Sequence, residues 1–169
     1  MKRIHVYCLG LLCLLSGTVS AQVPPAQVPH RRHKPKPTYY LDSKETWRYA
    51  VFPYDRDRDK LIFARSSKPT TILPSDYRKI EALVAGRVDV YNKSGFSTIT
   101  EPEKYYKQLI AVVNTKGEKE VWVHCCCQVM KDDWKTQLIN VKDGGICYFD
   151  VKLNLTYGTV LSFATNGPG

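Results

Sequence analysis

Of the four histidines in this chain of 169 residues, only His124 lies beyond Tyr39. That scarcity narrows the chemistry, because a nucleophile, a base and an orienting group could be assembled only around one imidazole. A zinc site built on His124 and Cys126 lacks third and fourth ligands. No cofactor or metal is therefore predicted. The leading apolar stretch, Ile4 to Leu15, falls short of the roughly 20 residues a membrane-spanning helix needs. A lipoprotein signal is also missing, since Cys13 follows two leucines and Cys8 follows Val6 and Tyr7.

What the N-terminus does contain is Lys2 and Arg3, then the apolar stretch, then Val19-Ser20-Ala21. This is the pattern of a secretory signal peptide spanning residues 1–21, with Ala26 as an alternative cleavage position. A secreted or periplasmic protein is the expectation. Residues 22–38 form a basic, proline-rich linker holding Pro24, Pro25, Pro29, Pro35 and Pro37 beside Arg31, Arg32, Lys34 and Lys36. Residues 39–169 are long enough for one domain with its own core.

The formal charge of +9 suggests nucleic acid until it is located along the chain. Without the leader cations only about +3 remains for the domain, so no nucleic-acid partner is expected. Asp55, Asp57 and Asp59 imitate the opening of a calcium loop. Lys60 stands where that loop needs glycine and Ser66 where it needs glutamate, so the segment reads as a solvated loop.

Hydrophobic spacing predicts an α+β domain. Thr46 to Phe52 and Lys60 to Arg65 read as an N-terminal β-hairpin. One helix starts near Pro74-Ser75-Asp76, capped by Ser75 or Asp76, and runs to about Tyr91. Ile80, Leu83, Val84, Val88 and Tyr91 form its apolar stripe, with Arg78, Lys79, Glu81 and Asp89 towards the other side. Strands are predicted over Tyr105 to Val113, Glu118 to Val129, Ile146 to Leu155 and Thr159 to Thr165, with an edge strand at Gln137 to Val141. One helix on a curved antiparallel sheet is the architecture implied.

Strand alternation then sorts the cysteines. Val121, Val123, Cys125 and Cys127 share the buried face with Cys147, and Trp122, His124 and Cys126 point the other way. Neighbouring triplet members are badly placed to bridge one another, so one disulfide is expected, from Cys147 to Cys125 or Cys127. Closing a loop of about twenty residues is worth about 3 kcal/mol in the chain-entropy model. Cys126 is left as an exposed free thiol, able to link two chains in a disulfide-bonded dimer.

Three stretches also carry a resemblance. Glu103-Lys104-Tyr105-Tyr106-Lys107-Gln108, Lys116 to Val123, and Asp143-Gly144-Gly145-Ile146-Cys147-Tyr148-Phe149 with Asn166-Gly167 resemble small exported single-domain proteins of Bacteroidota-type bacteria. The resemblance covers roughly Ile72 to Gly169. It implies a cystatin-like α+β roll without an assigned activity, and cysteines at 125, 127 and 147 with an aromatic between the first two. Cys126 departs from that pattern.

The functional expectation is a non-catalytic binding or accessory module for a protein, peptide or glycan of the cell envelope. Its candidate surface is the sheet face carrying Trp122, His124, Tyr148, Asp150 and Lys152, where aromatics alternate with polar groups. The structural alternative is that Trp122 and Tyr148 are a cross-strand pair packed under the hairpin. A cystatin-like peptidase inhibitor is a second functional reading, although Gln108 is followed by Leu109, Ile110, Ala111 and Val112 rather than by the Val-Gly of cystatins. A thiol-dependent enzyme using His124 is a third, without the helix N-terminus that usually lowers a thiol pKa.

Overall fold

The computed structural model describes residues 46–129 and 132–167. The expected signal peptide and linker, residues 1–38, lie outside the described residues. The described elements are β1 (Tyr49–Phe52), β2 (Lys68–Pro69), α1 (Pro74–Asn92), β3 (Tyr106–Val113), β4 (Lys119–Cys126), β5 (Tyr148–Asn154) and β6 (Thr159–Thr165). The sheet order is β1-β3-β4-β5-β6, and β2 shares the outer edge of β3 with β1. One helix packed on a six-stranded sheet is an α+β architecture.

Helix α1 forms because Pro74 pre-sets the first turn and the Asp76 carboxylate accepts the Leu73 backbone N–H at 2.8 Å. The cap position belongs to Leu73, two residues before Ser75 and three before Asp76, the expected caps, and Asp76 reaches back to it from inside the first turn. Asp76 also pairs with Lys119, which ties the helix start to the start of β4. At the other end Asn92 brackets Ile99, accepting its N–H at 2.8 Å and donating to its carbonyl at 2.9 Å.

Ile80, Val84 and Val88 are the buried apolar residues of the helix, with Leu83 and Tyr91 partly buried against the same cluster. They meet Leu109, Ala111, Val121, Val123, Cys125, Phe149, Val151 and Leu153. Burial of each such aliphatic side chain contributes about 1.5–3 kcal/mol.

The opposite face of the sheet is covered as well. Ala50, Phe52, Phe63, Ile110, Val112 and Trp134 form a second buried cluster, with Trp122, Val129, Leu138 and Ile139 packed against it. Strand β3 lies between the two clusters, and this is why Leu109 to Val112 is an unbroken apolar run.

Three expectations are corrected here. Lys60 to Arg65 is a series of turns, and β1 pairs in parallel with β3 through Tyr49↔Lys107 to Phe52↔Ile110, so there is no hairpin in this segment and the sheet is mixed. Phe63 from those turns plugs the second cluster instead of joining a ladder. Gln137 to Val141 is irregular because its backbone bonds to a side chain, as described below. The aspartate loop is not simply solvated: the Asp59 side chain is 1% exposed and holds Arg58 through Nε at 2.7 Å and Nη2 at 2.8 Å. Asp59 also accepts the Asp55 N–H, and the Asp55 carboxyl is held below its ordinary range by the N–H groups of Arg58 and Asp57.

Candidate functional site

Alternation along β4 and β5 places Trp122, His124, Tyr148, Asp150 and Lys152 on one face, as the sequence predicts. Cross-strand register sets Trp122 opposite Lys152, His124 opposite Asp150 and Cys126 opposite Tyr148. The three rings form a ladder: Trp122 and His124 stack at 5.4 Å between centroids and 11° between planes, His124 and Tyr148 at 6.4 Å and 20°. His124 Nδ1 lies 2.6 Å from Asp150 Oδ1. A carboxylate only accepts, so the proton sits on Nδ1, and the buried Nε2 is left without a partner. Lys152 pairs with Glu120 at 2.8 Å and lies 5.1 Å over the Phe63 ring.

The face is not, however, an exposed platform. Tyr148 is 4% and His124 5% exposed, because the second apolar layer lies on this side of the sheet. Asp150, its side chain 39% exposed, is the most accessible of its charged groups.

That covering layer is held by Gln108, whose role here differs from the cystatin comparison that the sequence invites. Gln108 is fully buried on β3, and its amide donates to the carbonyls of Trp134 at 2.5 Å and Gln137 at 2.8 Å. Its side-chain oxygen accepts the Ile139 N–H at 2.8 Å. Lys107, next to it on the helix face, is equally buried. Its ammonium meets Glu81 at 3.0 Å and the carbonyls of Pro102 and Tyr105 at 2.9 and 3.2 Å, so its three donors have three acceptors. Tyr49 donates its hydroxyl to the same Glu81 carboxylate. Glu81 therefore turns inward from the helix side expected to be solvated. Two polar residues at inward positions of an apolar strand were the available signal.

The four cysteines among the described residues separate into two classes. Cys127 and Cys147 form the disulfide, with Cα atoms 4.9 Å apart. Both lie outside the strands: Cys127 follows β4, and Cys147 ends the 3-10 turn Gly145–Cys147. Cys125 and Cys126 are free thiols and both are fully buried. Burial, opposed in part by the Lys107 ammonium, drives the Cys125 thiol far above its ordinary value. Cys126 does point away from Cys125, but towards the covered face, and burial reinforced by the Asp150 carboxylate pushes it up to about 12. The expected exposed thiol is thus corrected, and the folded chain offers no accessible Cys126 for a disulfide-linked dimer.

Two cavities open near these residues. One of about 410 Å³ is lined by Thr100, Glu101, Lys104, Tyr105, Ile146 and the two bridged cysteines. The other, about 170 Å³, lies between the segment after β4 and the start of β5, with Trp134, Tyr148, Gln128, Gln137 and Asn140 in its wall. Among the described residues no group of three or more histidine, cysteine or acidic side chains is arranged to hold a metal ion. No described helix is long and apolar enough to cross a membrane.

Among the described residues these features define an α+β sheet protein with one helix, two apolar layers and one disulfide. No protein-family model, curated protein or solved structure matches the chain.

Proposed function

We propose that the protein is an exported, non-catalytic binding or accessory module whose ligand is a peptide, glycan or protein surface of the cell envelope. The observation that carries this reading is the cleft beside Tyr148. Trp134 and Tyr148 supply aromatic wall, Gln128, Gln137 and Asn140 supply amides and Asp133 an acidic group, a combination that suits a polar ligand without negative charge. The predicted surface thereby contracts to its Tyr148 end, with Trp122 and His124 serving as the stacked support beneath it.

The groups that could do chemistry have structural partners. His124 is held by Asp150, Lys107 by Glu81, and neither free thiol is exposed, which weighs against the thiol-dependent alternative. A cystatin-like roll is supported by the single helix on its sheet, while the parallel β1–β3 pairing departs from the antiparallel expectation. The inhibitor alternative rests on analogy of fold alone. Export is supported by residues 1–21, and the disulfide is compatible with a secreted or periplasmic location.

The test is titration of the oxidised protein with neutral oligosaccharides and with unstructured peptides, read by tryptophan fluorescence. Saturable quenching that Asn140→Ala and Gln137→Ala abolish at unchanged melting temperature is the expected result. Absence of saturable binding by both classes overturns the reading.

A further inference from the structure

Independently of the Tyr148 cleft, the disulfide has a setting of its own. Cys127 is exposed, and both bridged cysteines form part of the wall of the 410 Å³ open cavity. Thiol–disulfide exchange requires that an incoming thiolate reach a bridge sulfur, so access is a first condition for a labile bridge.

A second condition is that the chain survives opening of the bridge, and here both ends are held without the sulfurs. The Cys127 N–H donates to the Cys147 carbonyl at 2.8 Å. The turn carrying Cys147 is fastened by Gly145 N–H to the Gly167 carbonyl at 2.9 Å, and the Asn166 N–H donates to the Tyr148 carbonyl at 3.0 Å. Within the closed loop, Gln108 fixes Trp134, Gln137 and Ile139 to the sheet. The disulfide duplicates constraints that hydrogen bonds already impose.

A third condition is that the reaction stay on these two sulfurs. Cys125 and Cys126 have no exposed surface. With its thiol at about 12, Cys126 is ionised in roughly one molecule in 10⁵ at neutral pH, so it does not divert the exchange.

We infer that the Cys127–Cys147 bridge is a thiol–disulfide exchange site, reduced in the folded protein by dithiols that enter the cavity beside Glu101 and Lys104 and reformed by the disulfide form of the same reagents. One thiolate of the dithiol attacks Cys127 Sγ, forming a mixed disulfide and expelling Cys147 as a thiolate, which takes up a proton. The second thiolate of the reagent attacks its own sulfur of the mixed disulfide and releases Cys127. The dithiol ends as a disulfide, oxidised by two electrons, and the protein gains two thiols, at Cys127 and Cys147, beside the buried Cys125 and Cys126.

Lys104 and Glu101 form an ion pair at the cavity wall, and Glu101 is the non-glycine with positive φ among the described residues, at 49°. Their charges act on an arriving thiolate with opposite sign. A single charge about 7 Å away in water changes the rate by about threefold.

The experiment treats the oxidised, folded protein with dithiothreitol at pH 8, quenches by alkylation at intervals and reads the intact mass. The expected result is reduction at a rate within about tenfold of that in guanidinium, because access is not limiting. The reduced protein should keep a cooperative melt and reform the bridge with oxidised dithiothreitol. Lys104→Ala should slow the native reaction about threefold and Glu101→Gln should speed it by a similar factor. A bridge that opens only in denaturant, a reduced form without a cooperative melt, or rates indifferent to both substitutions overturns the inference.

Discussion

Lys107 on the sheet and Glu81 on the helix form an ion pair at 3.0 Å in which the lysine side chain is 1% exposed and the glutamate 21%. The pair lies between the main layers of the protein, and Cys125 stands opposite Lys107 on the neighbouring strand. Geometry of this kind costs little while intact and a great deal when halved, because a lone buried charge has no water to turn to.

Lys107→Ala should therefore destabilise the fold by about 3 kcal/mol, at the low end of the range for a broken buried pair since Glu81 keeps some water. The double variant Lys107→Met with Glu81→Gln should recover part of that loss. Urea denaturation of Lys107→Met, of Glu81→Gln and of the double variant measures the coupling, and strictly additive effects would show that the two residues do not act as a pair.

Gln108 makes the corresponding test on the other face. Gln108→Leu keeps the volume but strands two carbonyls and one N–H under a covering layer, at about 1–3 kcal/mol for each group that water does not reach. Amide exchange at Ile139 should accelerate more than exchange within β4. Equal acceleration at both places would mean that Gln108 supports the sheet as a whole and not the 132–139 segment.

The helix, its apolar stripe and the ladder of β3 to β6 were legible because one strong period runs through each: Ile80, Val84 and Val88 at helical spacing, Phe149, Val151 and Leu153 at strand spacing. Element ends were less so, since Cys127 and Cys147 continue the alternating pattern while the chain has already left the ladder. The second covering layer was hidden for a different reason. Trp134, Leu138 and Ile139 have no period, and they are placed by backbone bonds to Gln108, a contact some 30 residues away that no local pattern encodes. Reading Lys107 and Gln108 as inward polar residues shows that each must find a buried partner, but not that the partners are Glu81 and the backbone of residues 134–139.

On the helix itself, Val84→Asp places a charge where exposure is zero and should abolish a cooperative melt. Lys79→Asp lies on the exposed side and should shift the melt only slightly. Similar melting temperatures for the two variants would contradict the packing of α1.

The two free thiols supply a pH signature. Both have folded-state values raised above the ordinary value of 9.0, chiefly by burial, with Cys126 at about 12. Below pH 9 the thiols are protonated in folded and unfolded chains alike, and their contribution to stability is fully present. As pH rises past 9 the unfolded chain releases protons that the folded chain keeps, so stability falls steadily towards pH 12. Cys126→Ala should flatten that decline, at some cost in stability at neutral pH from the lost sulfur contacts. The same burial predicts that alkylation at pH 8 leaves Cys125 and Cys126 untouched in the oxidised native protein and modifies both after unfolding. Rapid native labelling of Cys126, or a dimer without reductant that Cys126→Ser removes, would show that the layer carrying Trp134 does not seal this face.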